Sequence, residues 1–331
     1  MTGLNRHTIP GQHKSAGALF RKIEPLALSP ISPAVKSKPG EVFSVQGGTL
    51  FLEAKEKQKV VHLRGTSMRT VISKDGTSIA FDQSGQGPAL ILVIGAMGTR
   101  LDEAGLARAL APHFTVFAYD RRGRGDSGDR APYAVEREVE DIDALIAEAG
   151  GSACVFGGSS GAVLALEAAR LLGGKIEKLA LYEPPFIVDQ SRPPIPQDYV
   201  EHLNALLAAD RRGEAIEYFL IDAMRVPAEL VAQMRNGPMR SQLEAVAHTL
   251  PYDGTIMGET MSGNPATLRK RASVTVPTLV MVGGASPAFF HHGTQTLVGI
   301  LPNAQHRLLA GQDHGPADDV LAPALKAFFL S

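Results

Sequence analysis

Gly157-Gly158-Ser159-Ser160-Gly161 is the stretch of this chain best suited to chemistry. A serine hydroxyl is a weak nucleophile until it is lifted clear of its surroundings and given a base. A G-x-S-x-G segment does the lifting when it joins a buried strand to a helix. The chain then turns sharply, the serine is held in a strained conformation, and side chains two before and two after it would collide. Here the segment follows the apolar run Ala153–Phe156 (ACVF) and precedes the helical AVLALEAARLL. The pattern predicts Ser159 as a nucleophile and Gly157 and Gly161 as the residues that clear its elbow. It also predicts the Ser160 amide, at a helix N-terminus, as a donor to a developing oxyanion. Other Gly-x-Ser strings, such as Gly125-Asp126-Ser127 and Gly284-Ala285-Ser286, have no glycine two residues on.

Such a serine needs an imidazole. Of ten histidines, His314 alone lies between a last short strand (Arg307–Leu309) and a final amphipathic helix (Val320–Leu330), flanked by Asp313 and Gly315. His291-His292 makes a poor metal pair, because adjacent side chains splay apart and no carboxylate stands at ligand spacing. His113, after Pro112, reads as a strand-edge residue. Cys154 lies inside a buried strand and reads as core. No disulfide framework, Cys-rich zinc site or metal site is expected.

The elements that must position these residues are legible as periodicity. Arg69–Ser73 and Thr77–Gln83 flank an Asp-Gly turn at Lys74-Asp75-Gly76. Ala89–Ile94, Phe114–Tyr119, Ala153–Phe156, Lys178–Tyr182 and Thr278–Val282 are apolar at nearly every position. Strands of that kind belong in a parallel sheet covered on both faces. Helical stretches alternate with them at Leu101–Ala111, Val135–Ala149 and Ala162–Leu172. The alternation predicts an open α/β sheet with its ligand site past the carboxyl ends of the strands. A long insert, about residues 186–271, opens on Arg192-Pro193-Pro194-Ile195-Pro196. It reads as helices over Asp198–Asp210, Glu214–Arg225, Pro227–Asn236 and Arg240–Leu250, a candidate lid.

With these residues in place, the chain from 67 to 331 resembles the α/β-hydrolase superfamily. Gly95-Ala96-Met97-Gly98 follows the strand that supplies the family's second oxyanion donor. Asp120-Arg121-Arg122-Gly123-Arg124-Gly125-Asp126-Ser127 looks like its D-x-R-G-x-G-x-S turn, GGSSG is the elbow, and Gly311-Gln312-Asp313-His314-Gly315 stands where the family keeps its histidine. The resemblance implies a mostly parallel central sheet flanked by helices, with a helical cap insert. It implies a Ser159–His314 acyl-enzyme mechanism on a carboxylic ester or related small acyl compound, with the amides of Ala96 and Ser160 as oxyanion hole. The chain departs from the pattern twice. Ile94-Gly95 replaces the frequent His-Gly, which leaves the backbone donor untouched. Gly283-Gly284-Ala285-Ser286 puts Ser286 where the catalytic acid usually stands, and a serine cannot hold an imidazolium as a carboxylate does. Some members carry the acid one strand earlier, where this chain has Glu183 in Tyr182-Glu183-Pro184-Pro185. Glu183 is therefore the candidate acid. Asp313 is awkwardly close to His314 in sequence, and a dyad without an acid is the third reading. The missing carboxylate also motivates a different class, a non-catalytic or weakly active small-molecule binding protein on the same fold. Acyl transfer or perhydrolysis would use the same three residues.

Composition narrows the rest. The 331 residues balance 33 basic against 34 acidic side chains, and 44% are apolar. That balance argues against a general nucleic-acid or membrane-surface binder. The longest apolar run, Ala89 to Met97, is strand-sized and no membrane span is expected. No P-loop or N-glycosylation motif occurs and no cofactor is implied. Residues 1–66 differ, with ten basic and four acidic side chains and prolines at 10, 25, 30, 33 and 39. They read as a disordered extension. An over-long start, with Met68 as an alternative, and a transit peptide are the other readings of this segment. A secretory signal is not expected, since no apolar h-region of about 7–15 residues follows a basic start, and the expected location is cytoplasmic.

Overall fold

Runs that are apolar at every position need cover on both faces, and that requirement organises the molecule. The computed structural model describes residues 43–46, 49–52, 68–237, 239–271 and 273–331. Near the start, β1 (Phe43–Gln46) and β2 (Thr49–Leu52) form an antiparallel pair. Apart from that pair, the extension expected over residues 1–66 lies outside the described residues.

The main sheet has eight strands: β3 (Arg69–Ile72), β4 (Ser78–Gly85), β5 (Ala89–Val93), β6 (Thr115–Tyr119), β7 (Ala153–Gly158), β8 (Ile176–Tyr182), β9 (Thr278–Gly283) and β10 (Ala304–Leu309). Their spatial order is β10-β9-β8-β7-β5-β6-β4-β3. The β3–β4 and β4–β6 pairings are antiparallel and the rest parallel. The β3–β4 hairpin turns at Gly76, whose φ of +87° no β-branched residue would adopt readily.

The helices that cover the sheet are α1 (Ala104–Leu110), α2 (Val135–Glu148) and α3 (Ser160–Leu172), then α4 to α8 in the insert, then α9 (Ala288–Ile300) and α10 (Asp318–Phe329). Side chains alternate along each strand. Ile91, Val93 and Val155 pack with α2 and α3, and Leu90, Leu92, Cys154 and Phe156 pack with α1 and α10. Fully burying such side chains is worth about 1.5–3 kcal/mol each. Burial also pushes the Cys154 thiol up to about 11, which keeps it protonated and inert.

The insert holds α4 (Tyr199–Ala208), α5 (Arg212–Tyr218), α6 (Ala228–Met234), α7 (Arg240–Val246) and α8 (Leu250–Met257). It has its own core, built from Tyr199, Leu203, Leu206, Ile216, Leu220 and Leu250. Two expectations are corrected. The single helix read over Glu214–Arg225 divides into α5 and a wider π turn, Phe219–Ala223. The helix read as ending at Leu250 is followed by α8, in which Pro251 takes a first-turn position that needs no N–H. Helix α9 was not anticipated. Among the described residues no helix is long and apolar enough to cross a membrane.

Candidate active site

Five segments leave the carboxyl ends of adjacent parallel strands and converge. The Gly95–Gly98 loop follows β5, Ser159 follows β7, Glu183 follows β8, Ser286 follows β9 and His314 follows β10.

Ser159 has φ +55° and ψ −128°, a conformation that L residues rarely take. The turn is tight enough to need its glycines. A Cβ on Gly157 would lie 2.4 Å from the Gly161 carbonyl oxygen, and one on Gly161 would lie 2.2 Å from that of Val93. Gly158 meets no such neighbour, so only the two expected positions are sterically required. The Ser159 amide donates to the Tyr182 carbonyl (2.9 Å), which ties the elbow to β8.

The three residues singled out in the sequence meet. His314 Nε2 lies 3.0 Å from Ser159 Oγ, and His314 Nδ1 lies 2.8 Å from Glu183 Oε2. Glu183 is fully buried, and its φ of +46° turns the carboxylate back under the histidine. Its other oxygen, Oε1, accepts the Gly283 amide (2.7 Å) and the Ser286 hydroxyl. The serine at the usual acid position is therefore a donor to the carboxylate that stands one strand away. Asp313 does not take the place beside Nδ1; its Oδ1 accepts the Gly315 amide at 3.1 Å. The Tyr182 hydroxyl donates to the Asp313 carbonyl and holds the histidine loop on the sheet.

Phe290, on α9, stacks on His314 with ring centroids 4.6 Å apart and planes 20° from parallel. No sequence signal points to it, because the stretch that forms α9 shows no clear helical period. Gly95 packs against the Ser159 side of the site: a Cβ there would stand 3.0 Å from that of Ser159. Ala96 follows, and Met97, at φ +60°, packs against the insert's core.

Below this loop lies a buried ionic cluster. Arg121 makes a two-pronged pair with Glu138 (2.7 and 2.8 Å) and reaches Asp253 Oδ1 on α8 (2.8 Å). Arg124 reaches Asp253 Oδ2 (2.6 Å) and the Gly95 carbonyl (2.6 Å). The Ser160 hydroxyl donates to Asp253 Oδ1 (2.7 Å). Burial alone would raise the Asp253 carboxyl, but the Arg124 and Arg121 guanidiniums hold it below its ordinary value. The rest of that turn is structural: Arg122 forks onto Asp141 (2.8 and 2.7 Å), and Asp120 accepts the Arg100 and Asp126 amides.

The other side chains considered in the sequence lie elsewhere. His292 pairs with Asp189 away from these residues, and His113 sits between α1 and β6. Of the insert's methionines and aromatics, Phe186 and Met257 are buried against the sheet, while Tyr199, Phe219 and Met234 belong to the insert's own core.

A serine, a histidine and a buried carboxylate at the carboxyl edge of an eight-stranded, mostly parallel sheet define the architecture of an α/β hydrolase. The model of the alpha/beta hydrolase family matches residues 94–324, and the chain belongs to that family. A crystal structure of an alpha/beta hydrolase from Sphaerobacter thermophilus is 55% identical to it, with a TM-score of 0.72, covering 79% of this chain and 100% of that one. The enol-lactonase from Burkholderia xenovorans LB400 shares the fold at 20% identity and a TM-score of 0.60, over 80% of this chain and 100% of that one. A curated relative, the uncharacterized hydrolase YraK of Bacillus subtilis, is 38% identical over 96 residues. That match spans 28% of this chain and about a third (35%) of the relative's length.

Proposed function

We propose that the protein is a serine hydrolase of carboxylic esters or related small acyl compounds, with Ser159, His314 and Glu183 as its catalytic residues. The observation that carries this reading is the continuous chain Ser159 Oγ, His314 Nε2 (3.0 Å), His314 Nδ1, Glu183 Oε2 (2.8 Å). His314 takes the Ser159 proton as the oxygen attacks the acyl carbon. The amides of Ala96 and Ser160 hold the oxyanion, each worth roughly 10²–10³ in rate when well aimed. Ser160 is the first residue of α3, so the helix leaves its amide without a partner. The imidazolium then protonates the leaving alcohol. Water, deprotonated by the same imidazole, releases the acid and restores the serine. Glu183 keeps Nδ1 protonated and stabilises the imidazolium, a role that an acceptor-only carboxylate suits.

The motive for a binding protein on this fold was the serine at 286. With Glu183 beside His314, that motive falls away. A fluorophosphonate probe tests the reading. The wild-type protein is expected to label on Ser159 and Ser159→Ala to stay unlabelled. Labelling that persists in the variant would remove Ser159 from the role.

A further inference from the structure

We propose that Arg124 is a positioning residue for the oxyanion site, holding and polarising the peptide whose N–H is the first donor, and that Asp253 on the insert holds Arg124 there. The inference rests on the acyl-transfer reading above and names groups outside its three catalytic residues.

The Gly95 carbonyl and the Ala96 amide are the two ends of one peptide unit. A trans peptide is planar, and its C=O and N–H point in opposite directions. Arg124 Nη1 donates to the Gly95 oxygen at 2.6 Å, so it fixes the plane of that peptide from behind. A cation on the carbonyl end also draws electron density toward the oxygen and strengthens the N–H at the far end as a donor. Hydrogen bonds in series reinforce one another by about 10–30% each. Arg124 is 1% exposed, so solvent does little to screen its charge. Arg121 makes a longer contact of the same kind with the Ile94 carbonyl (3.4 Å).

Asp253 joins this device to the second donor. One oxygen takes Arg124 Nη2 (2.6 Å), and the other takes the Ser160 hydroxyl (2.7 Å). A single carboxylate from α8 therefore fixes the residue that carries one oxyanion amide and the guanidinium that aims the other. Arg124 Nε adds a bond to the Thr249 hydroxyl (3.1 Å), also in the insert. The insert is thus wired to the oxyanion site through Asp253 and Thr249.

The test compares an oxoester with its thionoester, matched in acyl and leaving groups. Sulfur is a weak acceptor, so the oxoester-to-thionoester rate ratio reads the strength of the oxyanion donors. Arg124→Met is expected to lower kcat on the oxoester roughly 10–100-fold, less than the loss of a whole donor. KM is expected to stay within about threefold, and the ratio to fall at least about fivefold, because only the aimed peptide is disturbed. A merely structural role would slow both esters equally. An unchanged ratio in a folded variant overturns the proposal. If Arg124→Met does not fold, the double variant Arg124→Met with Asp253→Asn is read instead. It keeps the buried cluster neutral and keeps an acceptor for Ser160. Fluorophosphonate labelling of the wild type separates the two levels. Labelling of Ser159 with an unchanged ratio refutes only this inference, whereas no labelling of Ser159 refutes the reading on which it stands.

Discussion

Glu183 holds two relationships at once. One oxygen faces His314, and the other is pinned by the Gly283 amide and the Ser286 hydroxyl. A buried carboxylate survives desolvation when its lone pairs are satisfied, and three hydrogen bonds meet that need. The division also assigns unequal weights to the two residues. Glu183→Gln is expected to lower kcat by on the order of 10⁴-fold, because an amide cannot fix the tautomer and charge of the imidazole. Ser286→Ala removes one supporting bond and is expected to cost about tenfold, equivalent to about 1.4 kcal/mol. Steady-state turnover of both variants on one ester checks the order, and equal effects would contradict it. Ser159 and His314 were legible because local spacing carried their signals: a glycine-flanked turn for one, a strand-to-helix loop for the other. Glu183 was legible only by comparison with a family habit. The partnership with Ser286 was not legible, since it joins residues 103 positions apart through tertiary contact.

At the scale of elements, strands were easier to read than helices. Two-sided burial writes an unbroken apolar run, and β5 to β9 all carry one. Helix α9 defeats pattern reading, because its sequence AFFHHGTQTLVGI contains two glycines and groups its polar residues between His291 and Thr296. One of those glycines serves packing: a Cβ on Gly293 would stand 2.8 Å from the Phe186 carbonyl oxygen. Helix α8 was hidden by Pro251, which reads as a breaker and acts as a starter. That helix matters for stability, since Asp253 ties it to Arg121 and Arg124. The Asp253 carboxyl is depressed in the folded protein. Its contribution is therefore present above the unfolded value, about pH 4, and fades as pH falls through the lower native value. Asp253→Asn is expected to lose about 3–5 kcal/mol at pH 7, the cost of breaking a buried pair. The gap to wild type should narrow as pH drops below about 4. Urea midpoints across pH measure it, and a gap that does not change with pH would contradict the ionic role.

For the molecule as a whole, the sheet brings five loops to one edge, and the insert, with its own core, meets them at Met97 and Arg124. The fold class was readable from alternation alone, since strands apolar on both faces leave few other arrangements. The buried cluster of Arg121, Arg124, Glu138 and Asp253 was not readable. Its members come from a strand-end turn, α2 and α8, and Asp253 lies 129 residues from Arg124. Charge spacing along a chain says nothing about such a meeting. The function proposed for the assembled parts is transient acylation of Ser159, and rapid mixing with p-nitrophenyl acetate measures that directly. A burst of about one equivalent of p-nitrophenol is expected, with an acetyl group on the peptide that carries Ser159 and neither in Ser159→Ala. Absence of both burst and adduct in the folded wild type, or an adduct that survives in Ser159→Ala, would contradict the account.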